Sequence, residues 1–561
     1  MDRDPYSDMA ERFAQVSKRT TTWSGIPLRP SYISSDLLTL KEGEDFPPPG
    51  SFPYTRGIHP TMYRGKLWTQ REVCGYGLPE DTNRRFRFLA EAGVTGLNVI
   101  VDVPTSFGID PDHPKAEGEV GTAGANFTTV EDMEIIMKGV PLETVNMSLI
   151  IAAATSPVIL AQYVAVAKRR GIDISRLRGT IQNDPIHTRY CGILLGVPLE
   201  LGLKTNADIV EYCTGHMPHW YTMNVNLYDM REQGLTAAQE VAVGFSMAMM
   251  YIDNVLERGL SIDDFAPRIA FYCSSHIDFF EEICKLRAAR KLWARIMRDR
   301  YGAKDPESQK FRFGVHTAGC SLVSHQPLNN IVRVAYEALA ASLAGAQSIH
   351  CCSYDEPIAL PTERAQKLAV RTQQVLAHET GVASVSDPLG GSFYVEWLTK
   401  ALEEEIEREM GRIAEIGGMR EAVRSGWLLQ EIESALVERQ RRIESGEEVV
   451  VGLNAFLDPE EETQTPLGVH RVHGPNCTDV QRRRLESIKS SRDTHAVRNS
   501  LQRLFLKARN GGWHVNLMPE LIEAVDVRAT LGEIMGTMRQ AYGFEYDCFG
   551  MVQPPDIARF E

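Results

Sequence analysis

Gly96-Leu97-Asn98-Val99-Ile100-Val101-Asp102-Val103 is a short β-branched run that stops at Pro104 and follows a helix-like stretch, Thr82–Ala92. The unit repeats along the chain. Comparable runs lie at Asn146–Ile151, Gly179–Gln182, Tyr221–Leu227, Arg268–Cys273, Lys310–Thr317, Gln347–Cys352 and Val382–Ser386. Stretches of helical periodicity separate them: Val158–Arg170, Ala237–Arg258, Phe279–Tyr301, Leu328–Leu343 and Glu363–Glu379. Alternating strands and helices build parallel βαβ units. Eight such strands in roughly 300 residues predict an α/β fold, a (β/α)8 TIM barrel. An open doubly wound sheet is disfavoured by the strand count and by the lack of a glycine-rich turn after the first run.

Outward from the barrel, the chain divides into an N-terminal arm over 1–55, the barrel over 56–395 and a C-terminal helical extension over 396–561. The arm ends in Phe46-Pro47-Pro48-Pro49. The stretch from Thr55 to Gly77 is punctuated by Gly57, Pro60, Gly65, Gly75 and Gly77, and reads as a long ordered loop rich in aromatics and arginine, a composition typical of binding loops. Residues 395–445 are charged and helical. Val449–Leu457 reads as a short strand and loop, and 478–545 as further helices ending in the amphipathic Leu521–Tyr542.

The 561 residues carry 74 acidic against 60 basic side chains, a net charge of −14, which argues against a nucleic-acid binder and a basic membrane-facing surface. No apolar run approaches the ~18 residues of a membrane span, and Met1–Ser7 is too polar for a signal-peptide core. Ten scattered cysteines read as reduced thiols of a cytoplasmic protein.

Barrel enzymes place their chemistry at the C-terminal ends of the strands. Here those ends carry Asp102, Gln182-Asn183-Asp184, Asn226-Leu227-Tyr228-Asp229 followed by Glu232, His316-Thr317 followed by Gly319, and His350-Cys351-Cys352 followed by Asp355-Glu356. Their concentration, more than any single residue, marks a site. No HExxH, CxxC, GxSxG or phosphate-loop pattern is present. Asp493-Thr494-His495 begins like a cobalamin-binding Asp-x-His loop, but Arg498 stands where glycine is needed.

Several motifs occur in an order that resembles one family, the acyl-CoA mutases that use adenosylcobalamin, comprising methylmalonyl-CoA mutase large chains and their relatives. They are Pro60-Thr61-Met62-Tyr63, Gly179-Thr180-Ile181-Gln182-Asn183-Asp184, Ala266-Pro267-Arg268, Lys285-Leu286-Arg287-Ala288-Ala289-Arg290, Asp355-Glu356-Pro357-Ile358-Ala359-Leu360-Pro361-Thr362 and Asp387-Pro388-Leu389-Gly390-Gly391-Ser392-Phe393-Tyr394-Val395-Glu396. The resemblance covers roughly residues 50 to 545. It implies a barrel threaded by the pantetheine arm of coenzyme A, a corrinoid over its C-terminal mouth, and radical 1,2-migration of the thioester group. By this resemblance Thr61, Met62, Lys66, Thr69, Arg71, Asn98, Ser148, Thr180, Gln182 and Arg268 match substrate or coenzyme A positions, with Gln182 at the acyl part and Arg268 toward the tail. Tyr228, Glu232, Gly319, Glu356 and Pro357 match cofactor positions. A primary radical attacks loose C–H and S–H bonds, so the sulfurs of Cys320 and Cys351 are expected to point away from the site.

The departures bear on substrate. Val73 stands where the methylmalonyl enzyme has a tyrosine beside the radical pair. Gly192 replaces its carboxylate-gripping arginine, and Asp229 replaces the histidine that hydrogen-bonds the thioester carbonyl. Tyr228, Gln182, Val73 and Asp229 are accordingly the catalytic candidates. An arginine lost and an aspartate gained predict a neutral or hydroxylated branched acyl-CoA in place of methylmalonyl-CoA. The 2-hydroxyisobutyryl-CoA relatives carry an aspartate where Ile100 stands here. The family's cobalamin-binding domain has no counterpart before Glu561, which predicts a separate small cobalamin-binding subunit in a heterodimer or heterotetramer. Two rival readings are a non-catalytic homologue acting as an assembly partner, and a metal-dependent barrel hydrolase built on Asp229, His316 and His350.

Overall fold

The computed structural model describes residues 20–41, 43, 45–151, 154–190, 198–457 and 477–560. Eight strands run parallel: β1 (Thr69–Arg71 and Val73–Cys74), β2 (Leu97–Ile100), β3 (Asn146–Ile150), β4 (Arg178–Ile181), β5 (Trp220–Tyr221 and Met223–Asn226), β6 (Ile269–Ser275), β7 (Phe313–Thr317) and β8 (Ser348–His350). The first half of β1 pairs with β8 and the second half with β2. The first half of β5 pairs with β4 and the second half with β6. Because β1 and β5 are each one continuous strand interrupted at a single residue, Glu72 and Thr222, the two five-stranded ladders share them and the ring closes.

Amide side chains hold both interruptions. At Glu72, Gln373 donates to the Arg71 carbonyl at 3.1 Å and Gln366 to the Val73 carbonyl at 2.9 Å. At Thr222, Asn183 donates to the carbonyl at 2.9 Å. Buried carbonyls freed from the ladder thereby keep partners.

Four elements differ from the sequence reading. The first barrel strand lies inside the stretch read as a loop, because Thr69 and Arg71 face a polar ring interior and erase the apolar period that marks a half-buried strand. Val382–Ser386 is not a strand: Gly381 takes a left-handed φ of 76° and Val382–Ser384 forms one 3-10 turn. The supposed single helix Leu521–Tyr542 is two, Met518–Asp526 and Leu531–Ala541, separated where Arg528 takes a φ of 72° and Thr530 caps the second. At Val449–Leu457 only an isolated bridge between Val451 and Ala455 forms.

The apolar core lies outside the ring. Val99, Leu149, Ile181, Val225, Val315 and Ile349 face outward and are buried under helices that include Ser156–Arg169, Ala237–Leu256 and Phe279–Arg295. The interleaved positions Asn98, Ser148, Thr180, Asn224, Gly314 and Ser348 face inward. An ordinary barrel fills that space with layers of Val, Ile and Leu. Here small and polar side chains leave a cavity of about 260 Å³.

The Lys285–Arg290 motif is structural. Lys285 donates to Glu240 at 2.7 Å and to the Ser274 carbonyl at 2.8 Å. Arg287 forks onto Glu396 at 2.7 and 2.8 Å and also pairs with Asp387. Arg290 donates to the carbonyls of Tyr54 (3.0 Å), Thr55 (2.7 Å) and Ala344, which fastens the loop after residue 53 to the barrel. Asp387 also pairs with Arg56 at 2.8 Å.

Candidate active site

The fastened loop lies across the N-terminal end of the ring. Tyr63 donates from its hydroxyl to the Ala346 carbonyl at 2.7 Å, and His59, Met62, Lys66 and Arg312 line the mouth. Met62 is buried with a φ of 39°. Thr61 is exposed beside this mouth and does not line it. Arg268 also stands outside the cavity wall, its guanidinium 5.6 Å from the ring of Tyr221, which does line it.

Further in, Arg71 lines the bore wall. Its guanidinium donates to Ser348 Oγ at 3.1 Å, Asn98 Oδ1 at 2.7 Å, the Leu97 carbonyl at 3.2 Å and Asn146 Oδ1. No carboxylate within ion-pair distance balances it among the described residues, and burial lowers its pKa to about 10. Thr180 Oγ1 and Asn224 Oδ1 are buried in the same wall without hydrogen-bond partners. Orphaned buried polar atoms cost about 1–3 kcal/mol each, and these two are placed to bond a polar group in the passage.

Above the bore, at the C-terminal ends of the strands, a chamber of about 530 Å³ opens. Its two sides differ. Val73, Ile100 and Ile150, on β1 to β3, give an apolar wall, and Gln182, His187, Asn226 and Asp229 give a polar one. The polar wall follows from local chain turns. Asp184 accepts from the backbone N–H of Ile186 and His187, both at 3.0 Å, and starts the short helix that presents His187. Asn226 accepts from the Asp229 N–H at 3.1 Å and turns β5 into the helix Tyr228–Glu232. His187 Nε2 then pairs with Asp229 Oδ2, which also accepts from the Asn226 amide.

His316 and His350 stack above the bore with ring centroids 4.0 Å apart. His350 Nδ1 accepts from the Val73 N–H at 3.1 Å. Burial lowers the pKa of His316 to about 4 and that of His350 well below the ordinary imidazole value, so both are neutral at pH 7. The Tyr228 ring lies 4.3 Å from His316. Glu232 accepts from the Cys320 N–H at 2.7 Å, and its other oxygen is buried without a hydrogen-bond partner. Glycine at 319 leaves room here: a Cβ would crowd Glu232 Oε2 at 3.0 Å and the Tyr228 hydroxyl at 3.2 Å. Glu356 lines the chamber and accepts from the Ser353 N–H at 2.6 Å, and Pro357 beside it is exposed. Burial raises the carboxyls of Glu232 and Glu356 to about 7.

Of the residues singled out in sequence, the bore gathers Met62, Lys66, Thr69, Arg71, Asn98, Ser148 and Thr180, and the chamber gathers Val73, Gln182, Tyr228, Asp229 and Glu356. Gly192 lies outside the described residues. Asp102 and Asp355, read as strand-end candidates, serve local structure: Asp102 accepts from the N–H groups of Thr105 and Gly121, and Asp355 from Thr362. Asp493 caps the helix Thr494–Gly511 by accepting from the N–H of His495 and Ala496. Cys320 and Cys351 do not line the chamber; Cys74 does, with its sulfur 3.8 Å from the Thr82 carbonyl. Sequence reading missed His187, Tyr272 and Arg312. No group of three or more His, Cys, Asp or Glu side chains among the described residues is arranged to hold a metal ion, which leaves the hydrolase reading without a ligand set.

The chain thus forms a hollow parallel barrel with a polar bore and a chamber over the C-terminal ends of its strands. The sequence pattern of the methylmalonyl-CoA mutase family matches residues 21–544. The chain is 37% identical over 524 residues to the 2-hydroxyisobutanoyl-CoA mutase large subunit of Aquincola tertiaricarbonis, covering 93% of this chain and 92% of that one. It is 37% identical over 546 residues to methylmalonyl-CoA mutase of Cereibacter sphaeroides, covering 97% and 76% respectively. It is 36% identical over 522 residues to the mitochondrial methylmalonyl-CoA mutase of Homo sapiens, covering 93% and 68%. The chain belongs to the methylmalonyl-CoA mutase family and is an acyl-CoA mutase, an isomerase. No helix among the described residues is long and apolar enough to cross a membrane.

Proposed function

We propose that this chain is the large subunit of an adenosylcobalamin-dependent mutase acting on a neutral or hydroxylated branched acyl-CoA, and not on methylmalonyl-CoA. The observation that carries the reading is the bore: inward Asn98, Ser148, Thr180 and Asn224 offer hydrogen bonds where a packed barrel would have branched apolar side chains. A pantetheine arm, with its two amides, supplies complementary groups. Lys66 and Arg312 at the N-terminal mouth suit the phosphate end.

The chamber's walls argue for the acyl group. Val73, Ile100 and Ile150 accept methyl branches. A free carboxylate on the substrate would face the Asp229 carboxylate, against repulsion that low dielectric strengthens. The Asp229 carboxylate offers a substrate hydroxyl an acceptor.

The residues at the mouth fit an adenosyl group. Glu232, with an unpartnered buried oxygen, and Glu356 would accept from ribose hydroxyls, and Gly319 keeps the space beside Tyr228 open. The chemistry supplied by adenosylcobalamin when bound is removal and return of a hydrogen atom by a carbon-centred radical. The protein's share is to orient the acyl tip, to exclude water and to keep loose hydrogens away. A small cobalamin-binding subunit completes the enzyme in this proposal.

The test is reconstitution with a cobalamin-binding small subunit and adenosylcobalamin, followed by a screen of branched, hydroxylated and dicarboxylic acyl-CoAs for isomer formation by mass spectrometry. Isomerisation confined to neutral or hydroxylated esters supports the reading. Turnover of methylmalonyl-CoA overturns the substrate assignment, and tight assembly with no turnover of any ester favours a non-catalytic partner role.

A further inference from the structure

We propose that the phenol of Tyr272 donates a hydrogen bond to the carbonyl oxygen of the migrating thioester and is a catalytic residue of this enzyme. The inference rests on the mutase reading above.

Position is the first argument. Tyr272 lies on β6, in register with Asn226 on one side and Gly314 on the other. Among the described residues it alone lines both the bore and the chamber. A thioester threaded from the N-terminal mouth, with its acyl tip in the chamber, has its carbonyl at that junction. The second argument is an unmet bond. The Tyr272 hydroxyl oxygen is buried and has no hydrogen-bond partner. Tyr228 and His316 flank the ring at centroid distances of 5.6 and 5.9 Å and fix its plane.

Neighbouring polar groups are committed to one another. Asp229 occupies the position where the family resemblance puts a carbonyl-binding histidine, yet its carboxylate can only accept, and it is already engaged by His187 and Asn226. The Asn226 amide is spent on Asp229, and His350 lines the chamber alone, above the junction. Burial also holds the Tyr272 phenol well above its ordinary pKa, so it keeps its proton and acts as a donor.

In the migration, the bond from the thioester carbonyl carbon to its original skeleton carbon breaks while that carbonyl carbon bonds to the neighbouring carbon from which hydrogen was taken. The unpaired electron passes to the carbon left behind, so atoms and electrons balance without another reactant. Between the two states the carbonyl carbon is part-bonded to both and electron density collects on its oxygen. A fixed donor stabilises that arrangement more than the starting ester.

Tyr272→Phe removes only the oxygen and leaves the ring packing intact. With the assembled holoenzyme, kcat should fall about ten- to a hundredfold while KM stays within about threefold. A second readout needs no turnover: the infrared carbonyl band of a thioester labelled with 13C at the carbonyl, bound to the chain. It should lie at lower frequency in the wild type than in Tyr272→Phe. An identical band in wild type and Tyr272→Phe, with both binding the ester, would overturn the assignment of Tyr272 alone. Failure of the wild type to bind any coenzyme A ester would instead overturn the mutase reading and this inference with it.

Discussion

Gly314→Leu is the substitution that most sharply separates a hollow barrel from a filled one. Gly314 stands in the middle of β7 between Tyr272 and Ser348. A Cβ there would meet Ser348 Cβ at 3.4 Å and the Ser348 carbonyl oxygen at 3.7 Å, ordinary contact distances, and the rest of a leucine side chain has only the bore to enter. In a packed barrel, added methyl groups would cost about 1–3 kcal/mol through overpacking. In this one they enter space, and replacing a strand glycine also removes a local weakness. The urea midpoint is therefore expected to stay level or rise slightly. Ligand binding should respond oppositely. The leucine fills part of a passage of about 260 Å³ that the pantetheine arm must occupy. Calorimetric titration with an acyl-CoA should show at least about a hundredfold weaker binding, about 2.7 kcal/mol. Unchanged affinity in a fully folded variant, or a loss of stability of the overpacking size, would refute the reasoning.

Asp229→Asn should shift relative affinity for methylmalonyl-CoA over isobutyryl-CoA about tenfold toward the dicarboxylic ester, measured by competition; an unchanged ratio would detach Asp229 from selectivity. Glu232 and Glu356 hold their protons to about 7 in the folded chain against 4.5 ordinarily. The folded state then binds more protons than the unfolded state between pH 4.5 and 7, so stability falls as pH rises through that window; chemical denaturation of Glu232→Gln/Glu356→Gln should give a flatter profile than wild type. Arg290→Met releases the carbonyls of Tyr54, Thr55 and Ala344. It should cost about 2–4 kcal/mol in urea denaturation and weaken acyl-CoA binding through the loosened mouth loop.

Strands whose outward residues carry the core, such as β3 with Met147 and Leu149 or β7 with Val315, were legible as β-branched runs. β1 was hidden because its inward residues, Thr69 and Arg71, serve the bore. Function there overrides the pattern that sequence reading depends on. Val382–Ser386 shows the converse error: a β-branched composition without neighbours to pair with, broken by the left-handed turn at Gly381. Strand-end position located Gln182, Tyr228 and Asp229, and could equally have found His187, in the short helix that follows Gln182. Tyr272 was concealed inside a run read only as strand, since nothing local tells which of its side chains faces inward. Motif order indicated which residues belong together, but not that the arginines of Lys285–Arg290 fasten the mouth loop and the chain near Asp387.

In the proposed enzyme a coenzyme A ester passes through the ring. The most direct test is a crystal structure of the chain with a branched acyl-CoA. Continuous density for pantetheine is expected from the mouth at Lys66, past Ser148 and Thr180, to a thioester beside Tyr272, with the acyl group in the chamber. An ester bound on the outer surface, or a ring whose side chains close the bore with the ligand excluded, would contradict it.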